Sequence, residues 1–164
     1  MARIANNNTV TEQKESIFRI EHLKEDTGFL MLQVSNLWKG SHSKALKKHW
    51  GLTHMQYIVL ASIYWLKLHD TRPVTQTALA GHIRTDPANI AYLFRELGAK
   101  GYISRANHPA NARTKIINLT QKGEELMRLA VSSVAEDDQK FFKTLGKNAD
   151  FFNKYLNKLI ETNY

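Results

Sequence analysis

TDPANIAYLFRELGAKGYISRANHPANARTKIINLTQKG, residues 85–123, reads as a helix with a marked start and a marked stop, followed by two strand-like segments around a basic, turn-rich loop. Pro87 has its φ preset for a first helical position, and Asp86 can accept from the free amides behind it. Ile90, Leu93, Phe94 and Leu97 recur at three- and four-residue spacing and therefore share one face. Ala88, Asn89, Tyr92 and Arg95 fall on the other. A small residue, an amide, a phenol and a guanidinium on one exposed face can meet base edges and phosphates in a major groove. Gly101 sits where this helix must stop. β-Branched and aromatic residues then flank Asn107–Arg113, which predicts a two-stranded hairpin with Arg113 near its tip.

That order of elements is a helix-turn-helix with a wing. It resembles the multiple-antibiotic-resistance regulator (MarR) family over roughly residues 52–123. The matching pieces are Leu52-Thr53 with Gln56 and Leu60, Thr75-Gln76-Thr77-Ala78-Leu79-Ala80, Leu97 with Lys100-Gly101, Arg105, Arg113, and Leu119-Thr120 with Gly123. Taken together these pieces are far more specific than any one alone. The resemblance implies a mainly α fold: one domain over 1–164, with a winged helix-turn-helix DNA-binding lobe at 52–123 and dimerisation helices at 15–50 and 124–164. It implies a homodimer that binds a pseudo-palindromic duplex operator, and a role in repression that a small aromatic or phenolic effector relieves. The alternative is a winged helix kept as a protein-interaction module without DNA binding. One departure stands out: the wing of the family carries an acidic residue two positions before its arginine, where this chain has Asn111. Asparagine can still bond a neighbouring guanidinium or backbone group, but without the ionic part that makes charge-assisted bonds the stronger kind.

Candidate DNA contacts follow from both readings. Pro87, Ala88, Asn89, Tyr92 and Arg95 lie on the exposed side of the reading helix, Arg95 suiting a phosphate better than a base. Asn89 equally serves a local bond near the cap. Thr75, Gln76 and Thr77 open the preceding helix and offer amides and hydroxyls to a phosphate, although capping explains them as well. Arg113 is the side chain for a minor groove, with Lys115 beside it. Arg105 either meets DNA or bridges the wing to the reading helix through Glu96 or a carbonyl.

Charge supports a polyanionic partner. The chain is 164 residues long with a formal charge of +8 and a pI near 9.7. Between Arg84 and Lys115 six cations face two anions, a net +4, so half of the charge lies in a fifth of the chain. Lys44, Lys47 and Lys48, and Lys140, Lys143 and Lys147, read as solvated faces. No cysteine is present, which removes disulfides, thiolate metal sites and cysteine-based peroxide sensing. No apolar run approaches the roughly 20 residues that span a bilayer, and residues 1–14 read as a flexible polar arm. A cytoplasmic protein with no membrane association is expected.

Outside the lobe the chain is patterned for helices. Ile17, Ile20, Leu23, Leu30, Val34 and Leu37 form a stripe from Glu15, broken near Gly28 and extending towards Trp50. Thr53 with Gln56 is a capping-box pattern opening a helix to His69. Leu126, Leu129, Ala130 and Val134 mark a helix after Thr120, and Phe152, Tyr155, Leu156, Leu159 and Ile160 mark a last one near Ala149–Thr162. Such stripes need a partner surface; by the family's arrangement Ile17, Ile20, Phe151, Phe152, Tyr155, Leu156 and Leu159 would form the dimer contact. Trp38, Trp50, Met55, Tyr57 and Trp65 could line an effector site at the junction, or be plain core. Seven histidines raise a metal site, but none pair at i, i+4, and His42 and His49 sit among Ser41, Ser43, Lys44 and Lys48 as on a solvated surface. No metal ligand and no cofactor is therefore expected. Catalytic residues are likewise none: there is no GxSxG elbow, no phosphate-cradling glycine loop and no apolar carboxylate pair.

Overall fold

The computed structural model describes residues 23–163. The chain divides into two compact units, Met1–Lys39 and Gly40–Tyr164. A 3₁₀ turn at Leu23–Glu25 leads into helix α1, Thr27–Trp50, which belongs to the first unit as far as Lys39 and to the second from Gly40. The break expected near Gly28 falls at Asp26, whose carboxylate accepts from the Phe29 amide at 2.7 Å and starts the helix. The arm at 1–14, Ile17 and Ile20 lie outside the described residues.

The second unit contains the winged helix. Gly51, at φ +62°, ends α1, and the amides of Gly51 and Leu52 return to the carbonyls of Lys47 and Leu46. The expected capping box is complete: the Gln56 amide donates to Thr53 Oγ at 3.2 Å and the Thr53 amide to Gln56 Oε1 at 3.1 Å, opening α2, His54–His69. Helix α3, Gln76–Ile83, is capped by Thr75, and α4, Pro87–Ala99, by Asp86, whose Oδ1 accepts from the Ala88 amide at 2.6 Å. Between them Arg84 takes the left-handed conformation at φ 60°. Strands β1, Ile103–His108, and β2, Asn111–Leu119, pair antiparallel from Ile103 opposite Leu119 to His108 opposite Asn111, with an irregularity at Asn107 and His108. The hairpin is longer than its sequence suggests. Only Pro109 and Ala110 remain as the turn, so Arg113 stands in β2 and not in a loop.

Helix α5, Gln121–Phe142, follows Thr120, and a 3₁₀ segment at Lys143–Asn148 with Gly146 at φ 50° leads into α6, Ala149–Thr162. Gly123 is needed for proximity: a Cβ there would lie 2.2 Å from the Tyr102 carbonyl oxygen. The core joins Leu46 and Leu52 to Val59, Leu60 and Ile63 of α2, Leu79 of α3, Ile90, Phe94 and Leu97 of α4, Ile117 of β2, and Leu126, Met127, Ala130 and Val134 of α5. Each of these side chains larger than alanine contributes on the order of 1.5–3 kcal/mol by leaving water. Leu129, expected on that inner stripe, is exposed, and Met127 takes the buried place.

Candidate nucleic-acid interface

Helix α4 turns Ile90, Leu93, Phe94 and Leu97 inward and leaves Pro87, Ala88, Asn89, Tyr92 and Arg95 exposed. Tyr92 is about half exposed, 54%, and Arg95 sits with its guanidinium carbon 5.8 Å from the Tyr92 ring centre. These two side chains form one cationic and aromatic ridge on the solvent side, the arrangement a π face and a guanidinium adopt when both stay hydrated.

Three elements converge beside that face. Thr75, Gln76 and Thr77 at the start of α3, Phe94 of α4, and Arg105, Arg113, Thr114, Lys115 and Ile117 of the wing line a cleft of about 250 Å³. Six of the sequence-predicted contacts thus meet around one opening. The wing is stitched to α3 at its base: Thr75 bridges to Ile116, and the Ile117 amide donates to the Val74 carbonyl at 2.8 Å. Arg105 reaches the reading helix through the Phe94 ring, 5.7 Å away, rather than through Glu96. Attraction of the cation to the face of a buried ring holds the Arg105 side chain against α4. The Lys115 ammonium donates to Asn107 Oδ1 across the hairpin. Asn111 accepts from the Arg113 backbone amide at 3.1 Å, so it orders the turn and not the guanidinium. Gln76 also joins two helices: its amide donates to the Pro87 carbonyl at 3.0 Å and fastens the start of α3 to the start of α4.

The other candidates are placed differently. Tyr57 is buried, Trp50 and Met55 pack half-buried against the core, and Trp38 belongs to the first unit. Burial, with the Asp138 charge adding to it, pushes the Tyr57 phenol up to about 12. Trp65 is half-exposed and stacked between His69 and His82, at 4.5 and 5.4 Å between ring centres. On α6, Phe151, Tyr155 and Leu159 are exposed, while Phe152 and Leu156 are half-buried. His42 corrects the sequence reading: it is buried, stacked parallel to buried His54 at 5.7 Å, with Nε2 3.2 Å from Asp138 Oδ1. Its spacing from Leu46, one turn on and also buried, carried that signal. Serines and lysines on the neighbouring positions obscured it. Among the described residues no three such groups gather as for a metal ion, and no helix is long and apolar enough to cross a membrane.

The sequence profile of the MarR family matches residues 52–115, which is the lobe carrying α2, α3, α4 and most of the wing. Over 124 residues, 76% of this chain, the sequence is 33% identical to the uncharacterised HTH-type transcriptional regulator YdcH of Bacillus subtilis (strain 168), covering 83% of that protein. The chain belongs to the MarR family. As a MarR-family protein it is a DNA-binding transcriptional regulator, and the reading as an interaction module that has lost DNA binding is not favoured. Its fold is that of the S. aureus MepR–DNA complex, with a TM-score of 0.74 at 22% identity over 84% of this chain and 98% of that one. CouR from Rhodococcus jostii RHA1, solved with p-coumaroyl-CoA, aligns with a TM-score of 0.69 at 28% identity, over 84% and 91% of the two chains.

Proposed function

We propose that this regulator acts as a homodimer that seats the exposed face of α4 in the major groove at each of two half-sites, while the wing follows the flanking backbone. The observation that carries this reading is the convergence of Arg105, Arg113 and Lys115 with the start of α3 on one cleft beside that face. Backbone amides and hydroxyls at a helix start together with Arg105 and Lys115 favour phosphate, which positions the lobe. Asn89 and Tyr92 then address base edges, and Arg113 extends to the adjacent minor groove. The exposed stripe of Phe151, Tyr155 and Leu159 suits the matching helix of a second chain. Occupying a promoter in this way represses transcription.

Release requires a ligand that favours a dimer whose reading helices are wrongly spaced, because only differential affinity shifts a population. The likeness to CouR supports a small aromatic effector. The cysteine-free sequence fits work in the cytoplasm.

Selection of bound duplexes from a random pool tests the reading. The expected product is a pseudo-palindrome whose half-site centres lie about one turn apart, roughly 34 Å. Enrichment of a single half-site would refute the dimer, and a pool that never enriches would refute sequence-specific duplex binding.

A further inference from the structure

We propose that Lys100 is a positioning residue: it holds the far end of the reading helix inside the lobe and sets the angle at which α4 meets the groove, without touching DNA itself. This rests on α4 being the helix that reads DNA and assigns a task to one cation of the basic stretch that the groove-facing surface does not use.

Lys100 is the C-cap of α4 and is half-buried. Its ammonium turns back across the lobe, donating to the Gly51 carbonyl at 2.6 Å and to Gln56 Oε1 at 3.0 Å. Both acceptors are themselves fixed. Gly51, at φ +62°, has its amide bonded to Lys47 at the closing turn of α1. Gln56 is buried, and the same Oε1 accepts from the Thr53 amide in the capping box. The ammonium also lies at the C-terminal end of α1, where the helix dipole favours a cation. Finally, the Lys100 carbonyl accepts from the Lys122 ammonium at 2.8 Å, and that ammonium lies 4.8 Å from the Tyr102 ring centre. One residue thus ties the end of α4 to α1, α2 and α5.

The opposite end of α4 is held by its Asp86 cap and by Gln76 on the Pro87 carbonyl. A helix of 13 residues is a rod of roughly 20 Å held at both ends. Base reading depends on its angle, because Asn89 and Tyr92 must arrive at particular edges, whereas phosphate attraction tolerates a tilt. Loss of the far anchor therefore lowers specific binding and spares non-specific binding. A cation that touched phosphate would do otherwise, weakening binding about equally on all sequences.

The test measures anisotropy of two labelled duplexes with the full chain at fixed salt, one duplex enriched from a random pool and one of unrelated sequence. Lys100→Met keeps the aliphatic stem and removes the ammonium. Affinity for the enriched duplex is expected to fall at least about tenfold and affinity for the unrelated one less than about twofold. Gln56→Leu, which removes no charge, should show the same selective loss, with the double variant no worse than the poorer single one. Gln56→Leu also serves alone if Lys100→Met does not fold. Equal losses on both duplexes would make Lys100 a backbone contact, and unchanged affinity for both would make the anchor idle; either overturns the proposal. A parent protein that fails to distinguish the duplexes would instead count against the DNA-reading function itself.

Discussion

Replacing Gly123 with alanine tests the junction on which the wing hangs. A Cβ at this position would stand 2.2 Å from the Tyr102 carbonyl oxygen and 3.1 Å from its carbon. Ordinary carbon–oxygen contacts begin near 3.3 Å, so the two segments must part by about 1 Å. That carbonyl accepts from the Thr120 amide at 3.0 Å, and the Thr120 hydroxyl donates to the Gly101 carbonyl at 2.7 Å while accepting from the Gly123 amide at 3.1 Å. The displacement stretches bonds that join the start of α5 to the entry of β1. Overpacking costs about 1–3 kcal/mol and each lost bond about 1 kcal/mol, so Gly123→Ala should destabilise by about 2–4 kcal/mol. For a chain of this size that lowers the thermal midpoint by roughly 5–15 °C. Gly98 is the control: it is helical, and an added Cβ meets nothing within 4 Å. Gly98→Ala should stabilise by about 0.5–1 kcal/mol. Circular dichroism melts of both variants read the difference. A Gly123→Ala protein melting within a degree of the parent would refute the close approach.

Arg84 occupies the left-handed region at φ 60° between α3 and α4, where a side chain is strained; Arg84→Gly should raise the thermal midpoint, by about 1 kcal/mol of stability at most, and a fall would mean that the guanidinium outweighs the backbone. The Tyr57 phenol, raised from 10.0 to about 12 by burial and then by Asp138, favours its neutral form in the folded protein. Its contribution to stability is complete below pH 10 and disappears as pH rises from 10 to 12, so tyrosinate absorbance should show one phenol titrating near pH 12, and Asp138→Asn should bring it only part of the way down. On α6, Tyr155→Glu with Leu159→Glu should convert the protein to monomers in sedimentation and weaken its hold on the enriched duplex; a variant that remains dimeric would remove α6 from the interface.

What could be read from the chain was local. The box at Thr53 and Gln56, the Asp86-Pro87 start, the stop at Gly101 and the four inward apolar residues of α4 are each set by neighbours within a turn, and the structure has them where periodicity and capping place them. The fate of single polar side chains was harder to foresee, because it depends on partners many residues away. Gln76 is drawn to Pro87 and Lys100 to Gly51 and Gln56, and neither distance is visible in a sequence pattern. His42 shows the same limit: its flanking serines and lysines describe the outside of α1, while its own inner position depends on α2 and α5. Trp65 fails in the other direction. An aromatic residue on α2 suggests lining or core, but it is held at the surface between two imidazoles.

We propose that the wing cleft and the exposed face of α4 grip duplex DNA through its phosphates. The salt dependence of binding to the enriched duplex tests it most directly, with the parent compared with Arg105→Ala, Arg113→Ala and Lys115→Ala. Log affinity should fall steeply and linearly with log salt, and each substitution that removes a phosphate contact should flatten the slope by roughly 0.9 per contact. Parallel lines for the parent and all three variants would contradict the account, because the cations gathered at the cleft would then have no phosphate to neutralise.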